Sequence, residues 1–233
     1  MNGLTGTWIK THKWRLLLFG IGVLLVISPI SEVYDQLDNV IRPLTAMVLL
    51  AVIFGTAKRT STLRLLSALT LLWVGIGLVT NGSGLFAGES LLAPILFLII
   101  LAAIFGLLAR SMVRAEQINT EVICAAICGY LLLGIFWMGL YALAKTVNNL
   151  HPGNPGVFVS SVEPEVNFGD LLYFSFTTLT TTGYGDIIPR APVVRMLAVL
   201  EAMVGLFYNT IVIARFVGLY GVKAMDRGTA GKP

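Results

Sequence analysis

The sequence predicts an all-α integral membrane protein, and three observations predict it. Of the 233 residues 56% are hydrophobic and only 12% are charged, about half the charge density of a soluble domain, ~25%. Apolar runs recur along nearly the whole chain, which leaves no room for a sizeable water-soluble domain. Basic residues collect in alternate loops. The net charge of +4 therefore reads as topology rather than as a nucleic-acid patch.

Six apolar segments carry this reading: Leu16–Ile30, Leu44–Ala57, Leu65–Thr80, Leu91–Ala109, Val122–Ala144 and Met196–Leu219. The first three fall short of the ~20 residues of a crossing and gain length from flanks such as Trp14 and Val40-Ile41. The first also has the basic start and apolar core of a secretory signal. It is counted as a crossing because it fits the sixfold pattern. Between the fifth and sixth lies Leu171–Leu179, too short to cross and bounded by turn residues, which fits a re-entrant helix. Residues 148–167, with His151-Pro152-Gly153-Asn154-Pro155-Gly156, read as an external loop before it. Lys10, Lys13, Arg15, Lys58, Arg59, Arg64, Arg110, Arg114, Arg215, Lys223, Arg227 and Lys232 mark the cytoplasmic side. Glu32, Asp35, Asp38, Glu89, Glu163, Glu165 and Asp170 mark the other, with Arg190 and Arg195 as exceptions. Both termini are then cytoplasmic, in a cell membrane of prokaryotic type. The expected organisation is a four-helix transmembrane domain over residues 1–119, a second domain over 120–222 and a short tail over 223–233. Cys124 and Cys128 lie one helical turn apart in an apolar run and read as two buried thiols.

After the re-entrant segment the chain reads Thr180-Thr181-Thr182-Gly183-Tyr184-Gly185-Asp186, preceded by Phe174-Ser175-Phe176-Thr177-Thr178-Leu179. Over about Val122–Leu219 this resembles the potassium channel family: helix, outer loop, pore helix, selectivity filter, helix. Stripping water from a potassium ion requires a cage of replacement oxygens, which backbone carbonyls provide if successive residues aim them the same way. That needs alternating left- and right-handed backbone, which Gly183 and Gly185 tolerate because they lack a Cβ. The resemblance implies K+ as the permeant ion, carbonyls of Thr181, Thr182, Gly183 and Tyr184 plus the Thr181 hydroxyl as ligands, Gly185 as the second filter glycine, and Asp186 at the outer mouth. The carboxyl end of the pore helix would add partial negative charge towards the cavity. One loop cannot encircle an ion, so geometry implies an oligomer, and the resemblance implies a homotetramer.

Two positions depart from the family pattern. Thr182 replaces an aliphatic filter residue. Tyr173 and Phe174 stand where many members carry a tryptophan that supports the filter tyrosine, so Tyr184 is expected to find Thr177 or Thr178. The fourth segment has no charge before Arg110, whereas a voltage sensor needs a ladder of basic residues, each contributing about 2.3 kcal/mol per 100 mV. The first four helices are therefore expected to be a non-voltage-sensing support. On the sixth segment Gly205 is either a hinge or a point of close helix packing. Leu206, Thr210, Ile213 and Val217, with Asn209 beside them, recur at helical spacing as candidates for cavity or gate. Glu201 is a carboxylate inside an apolar span, expected to bond a hydroxyl of its own pore helix. A weakly selective cation channel and a transporter or nonconducting scaffold are the alternatives. No enzyme, cofactor or nucleic-acid role is expected, since His12 and His151 stand far apart without metal-ligand spacing.

Overall fold

The computed structural model describes residues 13–33, 45–50, 53, 60–79, 91–115, 119–151, 153, 155–161 and 166–229. Six helices and two short strands are defined: α1 Lys13–Val33, α2 Thr60–Val79, α3 Leu92–Val113, α4 Thr120–Asn149, β1 Phe158–Ser160, α5 Phe168–Leu179, β2 Ile187–Pro189 and α6 Pro192–Thr229. Residues 45–50 are also helical. Most of the second apolar segment lies outside the described residues. So do the loops that hold Lys10, Asp35, Asp38, Lys58, Arg59, Glu89, Glu163 and Glu165.

Helix boundaries arise from local chemistry. Asn119 caps α4 by accepting the Val122 N–H at 2.9 Å, with Glu121 in the first turn where the helix dipole favours an acid. Asn167 and Asp170 form a reciprocal capping box at the start of α5 (2.9 and 2.8 Å). Pro192 opens α6, where a missing N–H costs nothing.

Among the described residues α3, α4 and the 192–219 part of α6 are long and apolar enough to cross a membrane. The apolar cores of α1 and α2, Leu17–Ile27 and Ser61–Ile76, are shorter. Helix α4 is the packing centre and touches α1, α3, α5 and α6. Arg15 Nε reaches Glu121 Oε1 at 2.9 Å and ties the start of α1 to the start of α4. Trp73 of α2 packs on Phe97 of α3 with ring centroids 5.3 Å apart. Cys124 and Cys128 are buried and free.

Residues 148–167 were expected to be loop throughout, yet β1 lies within them. It pairs antiparallel with β2 in the register Phe158↔Pro189, Val159↔Ile188 and Ser160↔Ile187. A strand of three residues has no periodicity to read. It exists because the chain leaving the Gly183–Asp186 loop offers it a ladder, and because Phe158 is buried edge-on against Tyr141 and Phe174.

Candidate functional site

Helix α5 ends at Leu179 with Thr180 as its cap, and its last carbonyls are occupied by the residues of the next loop. The Phe176 carbonyl accepts the Thr180 N–H at 3.0 Å. The Thr177 carbonyl accepts both Thr182 and Gly183 (2.8 and 3.1 Å), and the Thr178 carbonyl accepts Thr181 at 2.9 Å. The Tyr130 hydroxyl donates to the Leu179 carbonyl at 3.2 Å. The loop is thus sewn to the helix end through its own N–H groups, and the helix's terminal partial charge is largely taken up by these donors.

Three loop residues have left-handed backbone: Thr181 (φ 58°), Gly183 (φ 53°) and Gly185 (φ 81°). Thr182 and Tyr184, between them, do not. Alternating backbone of this kind allows successive carbonyls to face the same way. Sequence reasoning assigned the left-handed conformation to the two glycines alone. Thr181 adds a β-branched residue in that region, at a cost of about 1–2 kcal/mol, held in place by its N–H bond to Thr178. Residue type argues against this conformation, so the sequence held no signal for it. Thr182 Oγ1 lies 2.9 Å from Thr180 Oγ1, which ties Thr182 to the helix end.

Tyr184 stacks on Tyr173, with ring planes 6° apart and centroids at 6.3 Å. The expected partners are placed otherwise: Thr177 Oγ1 donates to the Phe174 carbonyl at 3.0 Å. The Thr178 side chain is half-buried, with its carbonyl bound to the Thr181 N–H. Phe174 turns into the chain's own core, edge-on to Tyr141 with centroids at 5.1 Å. Tyr173 also donates its hydroxyl to Asp186 Oδ2 at 2.7 Å, while Asp186 Oδ1 accepts the Ile187 N–H at 3.1 Å. That bond to the carboxylate pushes the Tyr173 hydroxyl up to about 12.

Behind α5, Glu201 of α6 is completely buried. Its Oε2 faces the Tyr141 hydroxyl and its Oε1 faces Ser175 Oγ, each at 2.5 Å, and Ser175 also reaches the Gly134 carbonyl at 2.8 Å. A hydroxyl carries one proton. Ser175 can serve both oxygens only by sharing it, or by accepting a proton from Glu201. A hydroxyl of α5 is the expected partner, and of its hydroxyls it is Ser175 that reaches Glu201. Tyr141 was missed, because it lies 60 residues away on α4 with nothing local to connect them.

Gly205 is buried, and a Cβ there would stand 2.5 Å from the Leu179 carbonyl oxygen, so close packing is an observed demand at this position. Leu206, Asn209, Thr210, Ile213 and Val217 lie on the exposed side of α6, where Thr210 Oγ1 bonds back to the Leu206 carbonyl at 2.8 Å. Among the described residues no cluster of His, Cys, Asp or Glu could hold a metal ion.

A known protein family matches over the same stretch. Residues 132–220 match the family model described as "Ion channel". The chain is also similar to the two pore potassium channel c of Oryza sativa subsp. japonica, 32% identical over 83 residues. The match covers 36% of this chain and 18% of that relative, so the similarity is to part of a longer protein. No solved structure matches the chain at a significant level. The matched residues include most of α4 and the 192–219 part of α6, both long and apolar enough to cross a membrane.

Proposed function

We propose that this chain is one subunit of a potassium-selective channel that conducts dehydrated K+ through backbone carbonyls of Thr181, Thr182, Gly183 and Tyr184, with Gly185 and Asp186 completing the outer mouth. The observation that carries the reading is the alternating backbone. Left-handed φ at residues 181, 183 and 185, separated by residues 182 and 184, is what a column of inward carbonyls requires. The N–H groups of residues 181–183 are spent on α5, which leaves their carbonyls free of that helix.

A single loop cannot surround an ion, and α6 presents an apolar face that the described residues leave open; only 11% of its apolar stretch is buried among them. A ring of subunits, four by family resemblance, would place that face around a central axis, with Leu206, Thr210, Ile213 and Val217 towards the cavity. The six-crossing topology with cytoplasmic termini, in a prokaryotic cell membrane, belongs to the same proposal, as does a support role for residues 1–119.

One observation favours a second reading. Thr182 stands where the resembled family carries an aliphatic residue and spends its hydroxyl on Thr180 at 2.9 Å; a filter that lost apolar packing through that exchange would pass Na+ as well. Purified protein in planar bilayers with K+ and Na+ exchanged across the membrane separates the two. A reversal potential that tracks K+ supports the selective channel, one near zero under mixed-ion conditions supports the weakly selective one, and no current under either removes both.

A further inference from the structure

Three polar side chains of α6, Glu201, Tyr208 and Arg215, stand seven residues apart. Two helical turns separate each pair, so all three share one face. Each bonds to a different neighbour in its own chain. Glu201 meets Tyr141 and Ser175. Tyr208 donates to the Ala126 carbonyl of α4 at 2.7 Å and lies over Gly129, where any Cβ would collide with its hydroxyl. Arg215 Nη2 lies 3.1, 2.6 and 3.1 Å from the carbonyls of Met112, Val113 and Ala115, where α3 ends.

The last contact is unlike an ordinary surface arginine. The final carbonyls of a helix lack intrahelical donors and carry the negative end of its dipole. One guanidinium nitrogen here shares its two N–H groups among the Met112 and Val113 carbonyls in the last turn of α3 and the Ala115 carbonyl just beyond it, and the Met112 carbonyl also accepts the Ala115 N–H at 3.1 Å. Such bonds are charge-assisted and stronger than neutral ones. Counting charges assigns Arg215 a topological role, as one of many cytoplasmic basic residues. That role needs no partner at all. On the opposite side of α6, Ile213 and Val217 flank it and are exposed, so whatever holds Arg215 also sets where these two apolar side chains stand.

We propose that Arg215 is a positioning residue that latches the cytoplasmic half of α6 to the end of α3. Moving Ile213 and Val217 then requires release of the three carbonyls, and a displacement of α3 is passed to α6 through the same bonds. The gating consequence rests on the channel reading above; the latch itself does not.

The test compares Arg215→Gln with the double variant Arg215→Gln/Gly218→Arg in the full-length protein. The double variant restores the positive charge one turn along an exposed face where a Cβ meets nothing within 4 Å. Hydrogen exchange of residues 206–219 in lipid nanodiscs is expected to rise about tenfold in both variants and to stay unchanged over 192–201. Arg215→Lys, which keeps a cation able to donate to carbonyls, is expected to lie between them and wild type. In bilayers, open probability should change about threefold or more in both glutamine variants while K+ over Na+ permeability stays at the wild-type value. Exchange at the wild-type level in Arg215→Gln, or recovery of wild-type exchange in the double variant, overturns the latch and leaves Arg215 a topology charge. If wild type passes no current, the channel reading falls while the exchange comparison still decides the latch.

Discussion

Helices α4 and α6 are both long, apolar and able to cross a membrane, yet they are used in opposite ways. In α4, 67% of the apolar window is buried inside the chain; in α6 the figure is 11%. Helix α4 takes neighbours close because it carries glycines where they press in: Tyr208 at Gly129, Phe176 at Gly134 and Leu98 at Gly139. Helix α6 offers its own chain one narrow strip, Glu201, Gly205, Tyr208 and Arg215, and leaves Met203, Leu206, Phe207, Ile211, Ile213 and Val217 exposed. Apolar composition therefore says that a helix can cross a bilayer. It does not say whether the helix is a scaffold or a lining.

If α4 and the inner strip of α6 are scaffold for the 181–186 loop, the largest effect should come from the loop itself. Gly185→Ala puts a Cβ on backbone at φ 81°, strained by about 1–2 kcal/mol although the space around it is open. Permeability for K+ over Na+, measured by reversal potential, is expected to fall about tenfold or more, or conduction to cease. Unchanged selectivity would remove the carbonyl mechanism.

The strip and the free face of α6 should respond differently. Glu201→Ala leaves the buried Tyr141 hydroxyl without its partner, while Ser175 keeps the Gly134 carbonyl, and is expected to cost about 1–3 kcal/mol in thermal unfolding, with reduced open probability. Glu201→Gln still offers a donor and an acceptor and should conduct. Leu206→Ala, on the free face, should leave the subunit's own packing intact and alter conductance or oligomer stability instead. Equal losses from Glu201→Ala and Leu206→Ala would erase the contrast.

Gly205→Ala tests the strip at its tightest point. The new methyl meets a backbone carbonyl, which cannot swing aside, so about 1–3 kcal/mol of destabilisation is expected by thermal melting. An alanine variant of native stability with altered gating would make Gly205 a hinge rather than a packing site.

A smaller effect belongs to the outer mouth. Tyr173→Phe removes the donor to Asp186 and should reduce the time the pore stays conducting, read in single-channel records. The Tyr173 hydroxyl titrates at about 12, above its ordinary value near 10, because the Asp186 carboxylate accepts its proton. A raised value means that this bond contributes fully below about pH 10 and is lost as pH climbs through 12. Titration of this tyrosine should therefore leave the mouth unchanged between about pH 5 and 9. The smallest expected effect is that of voltage. With Arg110 in the last turn of α3 and no basic residue earlier in that helix, the conductance–voltage curve in symmetric K+ should be shallow, and a steep one would give the amino-terminal helices a sensing role.

The sequence alone determined the membrane class and the position of the glycine-bearing loop, because each is a local property: composition, and two glycines where side chains are disfavoured. It also singled out Glu201, since an acid in an apolar run is costly wherever it points. What only the tertiary structure decided is who meets it. Tyr141 reaches Glu201 across 60 residues, Tyr173 rather than a threonine receives the Tyr184 ring, and three carbonyls at the end of α3 wait about 100 residues before Arg215. The left-handed Thr181 belongs to the same group. A β-branched residue avoids that backbone by itself, and here the hydrogen bonds at the end of α5 outweigh its preference. Pairings of this kind depend on how helices cross, which no spacing along one strand of sequence encodes.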